Sequence, residues 1–161
     1  MPRMIVAWLI LCFAVAGSWQ AGYAGPLLNG NFETGNLSGW TVFTTANGSL
    51  GAGFPQVVTY DTGNTGTPSL SAQFRVGQVT FNPGFPAGGG LFQNVTFGDG
   101  SLTITASIAA QGGTGSNFQA GLFQLLLDGV VVASHDFGAI DAGAQLFSTL
   151  NLQRSHHRGG A

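Results

Sequence analysis

The sequence predicts an all-β domain, an antiparallel β-sandwich of jelly-roll type, and three observations predict it. Charged residues are 6% of the 161-residue chain and lysine is missing altogether, so several strong helix formers are scarce. The 27 glycines punctuate runs of Val, Thr, Phe and Leu, residues that suit a pleated, half-buried surface. Those runs are short, about nine in all, with turn signals between them, as in sandwiches and jelly rolls. Aromatics at 11% with so little charge also oppose the composition of a disordered chain.

The first residues read as an export signal. Arg3 opens a positive region, and Ile5 to Ala16 is an apolar run of roughly a dozen residues. Gly22-Tyr23-Ala24 then places small residues at −3 and −1 of a cut after Ala24, with a cut after Ala16 as the alternative. Gly17, Ser18 and Gln20 break the run before it is long enough to span a bilayer. Cys12, the sole cysteine, follows Leu11 rather than the small residue of a lipoprotein signal, and the processed domain keeps no thiol. The expected organisation is a signal peptide over 1–24, one sandwich domain over 25–153 and a basic tail over 154–161.

The body opens on LLNGNFETGNLSGWT, from Leu27 to Thr41: a short strand, a polar turn-rich crossing and a second strand beginning at Trp40. That strand runs from Trp40 to Thr45; Asn47 to Gly53 is a loop, Gln56 to Tyr60 a strand, and Asp61 to Pro68 a turn-forming loop. From Ser69 to Val76, Leu70, Ala72, Phe74 and Val76 alternate toward a core, with Ser71, Gln73 and Arg75 outside. Asn82 to Gly90 is a Pro/Gly loop, and Leu91 to Phe97 a strand that turns at Asp99-Gly100. Leu102, Ile104, Ala106, Ile108 and Ala110 then alternate with Thr103, Thr105 and Ser107 on a half-buried strand. Gln111 to Asn117 is a loop. Phe118 to Leu127 and Val130 to Phe137 flank Asp128-Gly129, a pair favoured in type I′ hairpins. Leu146 to Leu152 closes the set. The final RSHHRGGA carries two Arg and two His after a long stretch without a basic Lys or Arg, and two readings stay open: a flexible basic tail, or a reading frame lost near Gln153.

Charge and motifs exclude several classes. Past the signal and before the tail, Arg75 stands alone against six acids, so nucleic acid and anionic membrane are excluded as partners, and nothing remains to insert into a membrane once the signal is removed. Ser134-His135-Asp136 has the letters of a nucleophilic triad, but neighbours on a strand point to opposite faces and cannot form a relay. His156 and His157 have no Cys or carboxylate close by in sequence to complete a metal set. Gly88-Gly89-Gly90 lies between strands rather than before a helix, so it does not cradle phosphate. The scattered acids sit at turns and offer no converging pair for glycoside hydrolysis. The chain reads as no enzyme.

The opening stretch, with GLFQNVTF (Gly90–Phe97), SLTITASIAAQ (Ser101–Gln111) and FQLLLDGVVV (Phe123–Val132), resembles the galactose-binding-like jelly-roll domains of exported bacterial proteins. These include carbohydrate-binding modules and domains of PEP-CTERM-sorted proteins. Asn29, Gly30, Phe32, Glu33, Gly35, Gly39 and Trp40 match an opening found directly after the signal in that group. The resemblance spans roughly Leu27 to Leu152 and implies three things. Glu33, the sole glutamate, would help to hold a structural calcium; Trp40 would pack in the core; and a further C-terminal strand, often with an Asp, would return beside the first strand. RSHHRGGA stands where that closing strand and a sorting tail belong, which leaves an unpaired edge.

For a ligand, sugar-binding surfaces want exposed rings and hydroxyl-binding groups on loops. Tyr60, the only tyrosine after the signal, with Asp61 and Asn64 in the following loop and Phe85 in the Pro/Gly loop, are the candidate ligand-binding residues. The expected function is a secreted, non-catalytic module at the cell surface or in the matrix, associated with polysaccharide. The alternatives are a structural or adhesion domain without a small ligand, and a truncated, non-functional fragment.

Overall fold

A computed structural model describes residues 7–14, 27–80, 87–95 and 100–156. Arg3, the Gly22–Ala24 cleavage site, Phe85, Asp99, His157 and Arg158 lie outside these residues. The described chain is all-β, with no helix among the described residues and ten strands in antiparallel pairs. These are β1 (Ala7–Ala14), β2 (Thr41–Thr44), β3 (Gly48–Leu50), β4 (Gln56–Tyr60), β5 (Ser69–Gln78), β6 (Gly89–Phe92), β7 (Gly100–Gln111), β8 (Leu122–Leu127), β9 (Val130–Asp136) and β10 (Gln145–His156).

The main sheet has six strands in the order β10-β7-β1-β5-β3, with β4 also on β5. Two smaller sheets, β2-β6 and β8-β9, complete a β-sandwich-like arrangement. The core gathers Ala72 and Phe74 from β5, Ile104, Ala106, Ile108 and Ala110 from β7, Leu150 and Leu152 from β10, and Phe123 and Leu125 from β8. Phe32 closes it from the opening stretch. Period-two alternation is why β7 and β8 bury alternate residues: the pleat sends every second side chain inward.

Several expectations need correction. Residues 27–40 contain no strand but turns and bends, and the following strand begins at Thr41 rather than Trp40. Asn29 and Phe32 take left-handed backbone (φ 51° and 59°), which ends any extended run there. A strand was missed at Gly48–Leu50, where Asn47 ties the loop to Thr80 by accepting from its backbone N–H (2.9 Å) and hydroxyl (2.8 Å). Gly48 must be glycine, because a Cβ would sit 1.9 Å from the Gly88 carbonyl oxygen.

Ser71, expected outside, is fully buried. Its strand is paired along both edges, and its hydroxyl donates to the Val58 carbonyl (3.4 Å). The hairpin turn is as expected, with Asp128 and Gly129 at φ 51° and 77°, though β8 starts at Leu122, not Phe118. Residues 154–156, expected in the tail, belong to a strand. β10 continues through Arg154, Ser155 and His156, which pair with Leu102, Ser101 and Gly100, because β7 itself starts early enough to offer them a ladder.

The apolar segment read as an export signal lies in the middle of the main sheet. β1 pairs β5 on one side, Ala7↔Val76 through Leu11↔Ala72, and β7 on the other, Ile10↔Ala109 through Ala14↔Thr105.

Candidate ligand-binding surface

The opening stretch is a clamp built by one asparagine. The Asn29 side-chain amide donates to the carbonyls of Asn36 (2.8 Å) and Ser38 (3.2 Å), and its Oδ1 accepts from the Thr34 N–H (3.3 Å). The Trp40 indole N–H donates to the Asn29 carbonyl (3.0 Å), and the Trp40 ring stacks on buried Phe32 with centroids 5.7 Å apart. Trp40 is therefore half-buried against the core rather than displayed to a ligand. Gln93 stands in for a neighbouring strand: its amide accepts from the Leu28 N–H (3.0 Å) and donates to the Leu28 carbonyl (2.5 Å).

Glu33 is exposed on this clamp. The loop's other side-chain oxygens are engaged within it, Asn31 Oδ1 by the Glu33 N–H and Asn36 Oδ1 by the Ser38 N–H. Among the described residues no group of three His, Cys, Asp or Glu comes together. Calcium takes six to eight oxygens, with several carboxylates typical. Among the described residues the clamp's side chains offer such an ion one carboxylate, that of Glu33, beside amides already committed to the turn.

Tyr60, Asp61 and Asn64 share one loop end, so the structure brings three of the four expected ligand residues together. Two of the three, Tyr60 and Asp61, are engaged within the fold. Asp61 Oδ1 accepts from the Thr65 N–H (3.0 Å) and hydroxyl (3.3 Å), and Oδ2 accepts from the Gly66 N–H (2.6 Å). The Thr65 N–H foremost, opposed by desolvation and helped by the Gly66 N–H, the Thr65 hydroxyl and the Gly63 N–H, holds this carboxyl below the usual aspartate range. Asp61 is thus the staple of its own loop. Asn64 is exposed at φ 51°.

Tyr60 is half-buried and stacks on Phe147 of β10, centroids 6.5 Å apart. β4 and β10 lie on opposite margins of the main sheet, so its face curls enough to bring these rings together. Burial, and behind it the Asp61 charge, raise the Tyr60 phenol above its ordinary value. Its hydroxyl is buried without a hydrogen-bond partner.

Among the described residues a further surface feature lies where the sequence analysis names no ligand residue. Ser116, Asn117, Phe118, Ala139, Ile140 and Asp141 line a half-open cavity of about 160 Å³. Asn117 and Ile140 hold its floor with reciprocal backbone hydrogen bonds, both 2.8 Å. Phe118 is 92% exposed beside it, and Asp141 is exposed across from it. The signal was present, an aromatic residue directly after the Gly-rich run GGTGSN. By sequence Phe118 opens the hairpin strand, whereas β8 begins four residues later, at Leu122.

Ser134, His135 and Asp136 alternate along β9, and His135 packs edge-on against Phe137 (4.6 Å). Asp136 spends its oxygens on the Gly138 N–H (2.8 Å) and the Gln119 amide (3.4 Å). Among the described residues no helix is long and apolar enough to cross a membrane. No family model, no curated protein and no solved structure matches the chain.

Proposed function

We propose that the chain is an exported, non-catalytic domain of jelly-roll type that associates with polysaccharide at the cell surface or in the matrix. The observation that carries this reading is the cavity at Phe118. An exposed aromatic face lies beside the amide of Asn117 and the carboxylate of Asp141, an arrangement that can stack on a sugar ring and bond its hydroxyls. At about 160 Å³ the cavity is smaller than the roughly 300–1,000 Å³ of sites that enclose a free small molecule. It suits one unit of a polymer lying across the surface.

A second reading, a matrix or adhesion domain without a small ligand, has its own observation. On the outer face of the β8–β9 hairpin Leu122, Leu126 and Val131 are all exposed, and Leu126 pairs with Val131 in register. Such an apolar outer face invites self-association. A glycan array probed with the purified protein, run beside sedimentation over a concentration series, separates the two. Saccharide binding by a monomer is expected; assembly that grows with concentration and an array without signal would replace the first reading with the second.

A further inference from the structure

β5 and β7 both run antiparallel to β1, so they run parallel to each other with one strand's width between them. No ladder joins them directly. Their other edges are already taken: β5 carries β3 and β4, and β7 carries β10 along its whole length. The two facing edges therefore stand about 9–10 Å apart, two strand spacings, and cannot close on each other without sliding the sheet. This opening lies in the middle of the sheet, not at its margin, beside fully buried Ala72, Phe74, Ala106 and Ile108. Backbone groups left unpaired at such a depth cost free energy comparable to lost hydrogen bonds.

The chemistry of the occupant can be read from both sides. β1 is AWLILCFA, without a charged residue. β7 carries none either, and β5 contributes only Arg75. What fills the slot is an uncharged, apolar extended segment, running opposite to β5 and β7 and matching five residues of each. Yet the residues that fill it are those the export reading removes.

We infer that the slot between β5 and β7 is a strand-acceptor site. Ala7–Ala14 fills it in cis while attached, and an extended apolar segment of a second polypeptide fills it once that segment is cut away. Strand addition of this kind takes its affinity from main-chain hydrogen bonds and its specificity from alternate side chains. The slot is independent of the polysaccharide reading and rests on the export reading only for what vacates it.

Cys12 is the chain's sole cysteine and lies opposite Ser107 in the ladder. Directly opposed residues of an antiparallel pair are close enough for a disulfide. In the unprocessed chain, Ser107→Cys should close an intramolecular disulfide under mild oxidation, and Thr103→Cys, four positions along the same strand, should not. In the processed protein, a synthetic peptide spanning Ala7–Ala14 should cross-link one-to-one to the Ser107→Cys variant and not to Thr103→Cys. The same peptide should raise the melting midpoint of the processed wild-type protein by about 5 °C or more, an effect lost when Ile10 and Cys12 of the peptide are replaced by proline. Equal cross-linking at both positions overturns the inference, as does a folded processed protein that neither cross-links nor shifts. Recovery of the exported protein with Ala7–Ala14 still attached defeats the cleavage and with it the occupant in trans, while the cis disulfide still reports on the slot.

Discussion

Asp61 shows how a residue picked as a ligand group can instead be spent on its own loop. Its oxygens receive the Thr65 and Gly66 N–H groups, and these bonds favour the charged form. A carboxyl whose folded pKa lies below its unfolded one contributes stability above the unfolded value, near 3.8, and loses it as pH falls through the lower folded value. Asp61→Asn should therefore melt earlier than wild type at pH 7, and the gap should narrow once the pH is taken below about 3.8. Thermal melts over a pH series check this. Gly48 gives a sharper steric test, because its absent Cβ is what lets the Gly88 carbonyl approach. Gly48→Ala should cost about 1–3 kcal/mol in urea denaturation, whereas Gly113→Ala, with open space around it, should stay within about 0.5 kcal/mol.

At the scale of elements, the pieces legible in sequence were those where local pattern and burial agree. The sequence places a strand at Gln56–Tyr60, an alternating face on β7 and a turn at Asp128-Gly129, because pleat and turn chemistry are local properties. What failed depended on distant partners. Ser71 is polar by composition but lies opposite Val58 of β4 with its hydroxyl on the Val58 carbonyl, and Gly48–Leu50 becomes a strand only because β5 reaches back to Gly77 and Gln78. The opening clamp went half right. Phe32 and Trp40 are the anchors the sequence suggests, but Asn29 organises them through turns rather than a strand. Phe32→Ala should cost about 3–5 kcal/mol, since a fully buried ring stacked on an indole leaves a cavity that its neighbours cannot fill. Chemical denaturation of the variant checks that value.

For the whole molecule, the expected ligand set and the displayed surface diverge. Tyr60, Asp61 and Asn64 do meet at one loop, where the tyrosine ring is stacked, the carboxylate staples its own loop and Asn64 stays exposed. Phe118 was hidden from sequence reading because a phenylalanine beside a hairpin ordinarily enters a strand, and only the fold leaves it 92% exposed. The central claim is that polysaccharide lies across that exposed ring. Native electrophoresis through gels containing soluble polysaccharide tests it most directly, with wild type, Phe118→Ala and Asp61→Asn run side by side. Wild type and Asp61→Asn should be retarded and Phe118→Ala should run as in a plain gel; equal retardation of Phe118→Ala and wild type, or free migration of all three in every polysaccharide, would contradict it.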